Sequence, residues 1–193
     1  MLLSLIFLVL STSGTLAGWQ EVISKTPFQN LTGQCQNETN TWIKSLEIFA
    51  TVSTECVVLK KCSLEELRIL EENLYAVQQL DAFGQFPGPG LFEIKTLYDG
   101  SNQECQRISG KKYETNYCYL LLTLGKNQSC AITSSTPTYD LLPWRIAVCL
   151  PYSCNHQDMV KIFNQMSPYP FTACSAFCVK NEVEKDSAFW GFT

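Results

Sequence analysis

In Trp144-Arg145-Ile146-Ala147-Val148-Cys149-Leu150-Pro151-Tyr152-Ser153-Cys154, a short apolar run carries one cysteine and ends at a proline turn that carries a second. A run of this length bounded by turn residues reads as a buried strand. The stretch from Tyr117 to Leu124 has the same make-up, with Cys118 inside it. A polar loop containing Thr133-Ser134-Ser135-Thr136-Pro137 separates the two runs. Two such strands predict one small sheet, across which Cys118 and Cys149 lie close together.

Helical patterns flank the sheet on both sides. Downstream, Asn155 or Ser153 caps a helix with Met159, Ile162, Phe163 and Met166 inward, stopped by Pro168 and Pro170. Upstream, Ser63 and Glu66 form a capping-box pair, and Leu64, Leu67, Leu70, Leu74, Val77 and Leu80 keep helical spacing as far as Gly84. That spacing predicts an inward leucine face. Glu65, Glu71 and Glu72 then form a solvated face rather than a catalytic pair, since nothing apolar surrounds them to raise a pKa. An earlier amphipathic helix is expected over Thr41 to Val58, capped by Asn40, with Ile43, Leu46, Phe49 or Ala50, and Val57 on one face. Between helix and sheet, Asp81-Ala82-Phe83-Gly84-Gln85-Phe86-Pro87-Gly88-Pro89-Gly90 is too rich in proline and glycine for regular structure. It reads as a turn and not as a phosphate cradle, because a helix precedes it and no Lys-Ser/Thr pair follows.

The chain has 193 residues, 46% hydrophobic and 17% charged, with a formal net charge of -4. It is apolar enough to bury a core, and no clustered basic residues are present to neutralise phosphates, so nucleic acid is an unsuitable partner. Residues 1–17, an apolar run followed by Thr15-Leu16-Ala17, read as a secretory signal peptide. The run is too short for a spanning helix, and no later stretch is long and apolar enough for one. The ten cysteines at positions 35, 56, 62, 105, 118, 130, 149, 154, 174 and 178 agree with that oxidising destination. Their even number predicts five disulfides, with the pairing left open by spacing. Metal is not expected, because the closest pairs are Cys149 with Cys154 and Cys174 with Cys178, and His156 is the only histidine. Asn30, Asn37 and Asn127 each head an N-glycosylation triplet.

Ser153 and His156 are the one hydroxyl and imidazole pair close in sequence, but a turn residue and a first-turn surface residue account for them, so no catalysis and no cofactor are expected. The end of the chain, residues 181–193, is a polar linker followed by an aromatic-rich tail. Such a tail suits either an approach to a membrane interface or packing against the domain.

The order of Cys62, the leucine-rich helix, Asp81-Ala82-Phe83-Gly84 with Pro87 and Gly90, Gly100-Ser101-Asn102-Gln103-Glu104-Cys105, Tyr117-Cys118 and Ile146 to Cys154 resembles the N-terminal domain of the nose resistant-to-fluoxetine protein family. The resemblance covers roughly Cys62 to Cys178. Its specific parts are the Val-Cys-hydrophobic-Pro-x-Ser-Cys segment and the Asp-Ala-x-Gly turn. The chain departs from the pattern at Gln85, where a basic residue is usual, and around Gly88-Pro89-Gly90.

The resemblance implies an extracellular or lumenal domain that stands ahead of a multi-pass acyltransferase-like membrane region, in proteins linked with movement of lipids and lipophilic drugs. The expected organisation is a signal peptide over 1–17, a helical extension over 18–61, a cysteine-rich domain over 62–180 and a tail leading toward an absent membrane region. The expected fold is α+β and helix-rich, a small disulfide-stapled domain with a short β-sheet. The expected function is a non-catalytic binding or accessory module for a lipophilic small molecule, a lipid or the acyltransferase-like region. The alternative is a structural ectodomain that supports folding and trafficking of a membrane partner region.

Overall fold

The structure, a computed structural model, describes residues 28–58, 61–84, 97–108, 110, 112–124, 144–166 and 171–179. The signal segment, Pro87, Gly90, Asn127, Cys130 and the tail lie outside the described residues. The chain forms helices α1 (Gly33–Val58) and α2 (Leu64–Asp81), strand β1 (Leu97–Tyr98) and a short helix α3 (Asn102–Arg107). Strands β2 (Thr115–Leu124) and β3 (Trp144–Pro151), helix α4 (His156–Met166) and strand β4 (Phe171–Cys178) complete the order. This is the expected α+β fold, in which one four-stranded sheet runs β1-β3-β2-β4.

Both strands expected from the sequence are present and pair antiparallel, with Tyr117 opposite Cys149 and Cys118 opposite Val148. Cys118 and Cys149 are therefore neighbours one step out of register. Because successive strand residues face opposite sides, their sulfurs point away from each other. Strand β4 pairs antiparallel with the other edge of β2, with a register shift at Leu121/Leu122, and β1 pairs parallel with β3. One face of the sheet, holding Cys118, Leu120 and Ala176, is covered by α4, which brings in fully buried Met159 and Ile162. The other carries Tyr117, Cys149 and Ala147 and meets α2 and α3.

Helix α1 starts at Gly33, well before the expected Thr41. Asn40 is thus inside the helix, and its side chain accepts the Phe28 N–H at 3.0 Å instead of capping α1. The early turns belong to the helix because Cys35, Thr39, Trp42, Leu46 and Phe49 make a buried stripe at spacings of three and four. Trp42 is wholly buried; its indole Nε1–H donates to Ala76 O at 3.0 Å and its ring stacks on Phe83 at 5.6 Å. Ala50, offered as an alternative to Phe49, is exposed.

The capping box of α2 forms as expected, Glu66 N–H to Ser63 Oγ at 3.2 Å and Ser63 N–H to Glu66 Oε2 at 2.6 Å. Its leucine face, however, is not the buried one. Leu64 and Leu67 are 87% and 41% exposed, Leu70, Leu74, Val77 and Leu80 are half-buried, and the residues turned fully inward are Asn73, Tyr75, Ala76 and Gln79. Two polar side chains can take core positions because they are hydrogen-bonded there. Gln79 donates to Cys149 O at 2.9 Å and accepts from the Tyr113 hydroxyl at 2.8 Å, while Asn73 donates to Ile69 O.

In α4, Asn155 is the cap: its Oδ1 accepts the Asp158 N–H at 2.9 Å and Asp158 Oδ2 accepts the Asn155 N–H at 3.3 Å. Asp158 is only 1% exposed and also accepts from Thr32 N–H and Thr32 Oγ1, so the cap of α4 ties down the segment entering α1. Met159, Ile162 and Met166 point inward as expected, with Phe163 half-buried.

Candidate functional site

Four disulfides join described cysteines. Cys35–Cys154 fixes the start of α1 to the turn after β3, with a sequence separation of 119. Cys105–Cys149 fixes α3 to β3, with a separation of 44. Cys118–Cys178 crosses from β2 to β4, with a separation of 60. These two residues are direct register partners, and the neighbouring Val179 N–H to Tyr117 O bond makes theirs a non-hydrogen-bonded pair, where strands approach most closely. The fourth, Cys56–Cys62, spans only six residues, between the end of α1 and the cap of α2. Cys174 is bonded as well, to a partner outside the described residues.

Chain-entropy reasoning ranks these bridges. Closing a loop of the size between Cys35 and Cys154 removes about 5 kcal/mol of unfolded-state freedom, whereas the Cys56–Cys62 loop removes about 2 kcal/mol. Thr39, wholly buried, places its hydroxyl 3.8 Å from Cys35 Sγ and 3.7 Å from Cys154 Sγ, so the first bridge is sealed from solvent. Cys56, Cys62 and Glu66 bring two sulfurs and a carboxylate oxygen within 4.8 Å of one another. The sulfurs are already joined, which removes both thiolates from any metal.

The Asp-Ala-x-Gly turn is a backbone joint. Ala82 O accepts the Ser101 N–H at 3.0 Å and Gly84 N–H donates to Ala147 O at 2.8 Å. A Cβ on Gly84 would overlap Tyr98 O, and one on Gly100 would overlap Ala82 O. Both positions therefore need glycine for close approach. Gly100 N–H also donates to the Tyr117 hydroxyl at 3.1 Å. Asp81 is exposed. The joint welds the end of α2 to α3 and the central strand.

Ser153 and His156 are not brought together as a pair. Ser153 Oγ donates to Glu38 Oε2 on α1, and His156 is exposed on the first turn of α4. Two tyrosines have phenols pushed well above their usual range. Burial is the main cause for Tyr113, which donates to Gln79. For Tyr119, burial is followed by the 2.6 Å bond to Asp99 Oδ1. Neither ionises at physiological pH, so both act as fixed donors. Of the glycosylation candidates, Asn30 and Asn37 are exposed.

The surface that helical spacing had assigned to the core is the notable chemical feature. On α2 the stripe Leu64, Leu67, Leu70 and Leu74 is exposed or half-buried, as are Ile48, Val52, Val57 and Val58 of α1. Val58 is 73% exposed. The same helix carries an exposed ion-pair group, in which Arg68 bonds Glu65 at 2.8 Å and lies 3.9 Å from Glu72. The surplus of leucine over the needs of the core was a signal the sequence already contained.

A helix-rich α+β domain closed by long-range disulfides fits the class of extracellular or lumenal domains. No described helix is long and apolar enough to cross a membrane. The family model of the nose resistant-to-fluoxetine protein N-terminal domain matches residues 35–163, and the chain belongs to that family. The match begins at Cys35, so it takes in α1 as well as the region from Cys62 onward. No curated protein and no solved structure is significantly similar to the chain. Family membership assigns the chain to the ectodomains of membrane-associated proteins.

Proposed function

We propose that the domain is a non-catalytic binding and accessory module, and that its α1–α2 hairpin takes either a lipophilic small molecule or lipid, or the outer face of an acyltransferase-like membrane region. The observation that carries this reading is the leucine stripe from Leu64 to Leu74, which α2 turns away from the core while burying Gln79 and Asn73 in its place. Accessible apolar surface beyond what a domain needs for its own core is a favoured site for a partner or ligand. The hairpin is held from both ends, by the Cys56–Cys62 bridge and by the Gly84/Gly100 joint, so it would present that surface without an ordering cost at binding. Glycans at exposed Asn30 and Asn37 would stand just before α1 and on its opening turns, at the opposite end of that helix from Val58.

The test is a titration of the oxidised domain with a panel of fluorescent lipids. Saturable binding that is lost in Leu67→Glu/Leu70→Glu is expected; absence of saturable binding across the panel would remove the lipid half of the reading. A second reading, a structural ectodomain that supports folding and trafficking of a membrane partner region, is favoured by the motif turn, whose Gly84 and Gly100 serve only backbone packing. Deleting the domain and retargeting the remaining membrane region to its proper compartment separates the two. Function is lost under the first reading and kept under the second.

A further inference from the structure

We propose that Cys56–Cys62 is a thiol-exchange site, opened by small thiols or protein dithiols under conditions that leave Cys35–Cys154, Cys105–Cys149 and Cys118–Cys178 closed. Both sulfurs of the first two of those bridges belong to buried residues, and Cys118 is wholly buried. Cys62 is half-buried between exposed Lys61 and exposed Ser63, at the solvent end of the hairpin. An incoming thiolate therefore has a path to Cys62 Sγ, along which the Lys61 cation favours approach. Cys178 is half-buried too, but its bridge lies between directly paired strands and beside Met159.

Linkage gives the same ranking. A bridge and the fold stabilise each other equally, so the bridge that constrains the unfolded chain least is the one the fold protects least. Among these four it is the one with a separation of six. Opening it leaves the hairpin assembled, because Trp42 still donates to Ala76 O, Ser45 Oγ still pairs with the Tyr75 hydroxyl at 2.8 Å, and the Ser63/Glu66 box is intact.

The chemistry balances with a dithiol as reductant. Its thiolate attacks Cys62 Sγ, a new sulfur–sulfur bond forms, and the Cys56–Cys62 bond breaks with the electron pair left on Cys56 Sγ, which takes up a proton. The second thiolate of the reductant then attacks its own half of the mixed disulfide and releases Cys62, which is protonated in turn. The reductant ends as a disulfide and the protein pair as two thiols. With a monothiol such as glutathione the first step alone yields a mixed disulfide on Cys62. Glu66, whose carboxylate lies within 4.8 Å of both sulfurs, repels the attacking anion and the departing thiolate and so sets the exchange rate.

The experiment treats the full oxidised chain with graded dithiothreitol or glutathione, quenches with an alkylating reagent and maps the modified cysteines by mass spectrometry. Cys56 and Cys62 should be labelled at about tenfold lower reductant than Cys35, Cys105, Cys118, Cys149, Cys154 or Cys178, with the far-UV circular dichroism unchanged. Glu66→Gln, which keeps the capping box, should exchange about threefold faster. In Cys56→Ser/Cys62→Ser the first wave of labelling among these cysteines should vanish. Opening of any of the other three bridges first, or of all four together, would overturn the proposal; so would a first wave that persists in the double variant.

Discussion

The two ends of the α1–α2 hairpin are built on different principles. At the sheet end, Trp42, Tyr75, Ala76 and Gln79 are fully enclosed, and the Gly84/Gly100 joint and the Cys35–Cys154 bridge connect the helices to residues far away in sequence. At the outer end the crosslink among the described residues is local, and Val58, Leu64 and Leu67 are exposed. The difference teaches where the core stops. Gln79 occupies the interior because β3 offers it a partner, and the leucines that a self-contained helix pair would bury stay accessible. Cysteine spacing carries the same message, since the long bridges serve the fold and the short one serves the hairpin tip.

Substitutions at the two ends test this contrast. The largest loss is expected from Cys35→Ala/Cys154→Ala, about 5 kcal/mol in denaturant unfolding, against about 2 kcal/mol for Cys56→Ala/Cys62→Ala. Equal losses would erase the distinction between the ends. Gly84→Ala comes next at about 3 kcal/mol, since its new Cβ meets backbone atoms that cannot rotate away. A thermal melt matching the parent chain would show that the joint yields.

Gln79→Leu should cost about 2 kcal/mol by equilibrium unfolding, because it leaves Cys149 O and the Tyr113 hydroxyl without this partner; a neutral result would mean that apolar packing alone holds that end together.

At the outer end, Ser63→Ala should cost about 1 kcal/mol through the lost cap. The Glu66 carboxyl is held below its ordinary range, first by the Ser63 N–H and then by the Ser63 hydroxyl. A depressed folded-state value stabilises the fold above the unfolded-state pKa and is lost as pH falls through the depressed one. Wild type and Glu66→Gln should therefore converge in stability in acid, and a gap that widens there would contradict this sign. The smallest stability effect, within about 0.5 kcal/mol, is expected for Leu67→Gln, which should weaken ligand binding instead. A loss of several kcal/mol would place Leu67 in the core after all.

The sequence disclosed the central strand pair, the capping box of α2, the stop of α4 and the covalent character of the domain. Each of these rests on local chemistry: a short apolar run, Ser63 with Glu66, Pro168, and an even cysteine count. What stayed hidden depends on contacts across the fold. The first turns of α1 look polar until Cys35 and Thr39 are counted with Trp42 as one stripe, because a bridged cysteine and a threonine hydroxyl lying against it behave as core. Strand β4, with Thr172, Ala173, Cys174, Ser175 and Ala176, lacks large β-branched residues and is defined by pairing with β2. Strand β1 is only Leu97–Tyr98 and α3 only Asn102–Arg107, too short for periodicity to register. Leucine spacing points to a different inward face of α2 from the one observed, because it outweighs the single Gln79, whose partners lie on β3 and beside β2. For the site, the cysteines and the motif turn were legible as residues, but the turn's role emerged only from the backbone approach of Gly84 and Gly100.

The bridge between Cys118 and Cys178 also has a mechanical meaning. Strand β4 is an edge strand, and Cys178 is the last residue of it, one position before the chain leaves the sheet. Tension applied beyond Val179 would otherwise unzip β4 from β2 one hydrogen-bonded pair at a time, starting at this end. The covalent link stands directly behind the first tooth of that zipper, the Val179–Tyr117 bond, and passes the load into β2. A pull beyond Val179 is thereby borne by a sulfur–sulfur bond and by β2, whose Tyr117, Cys118 and Leu120 are buried.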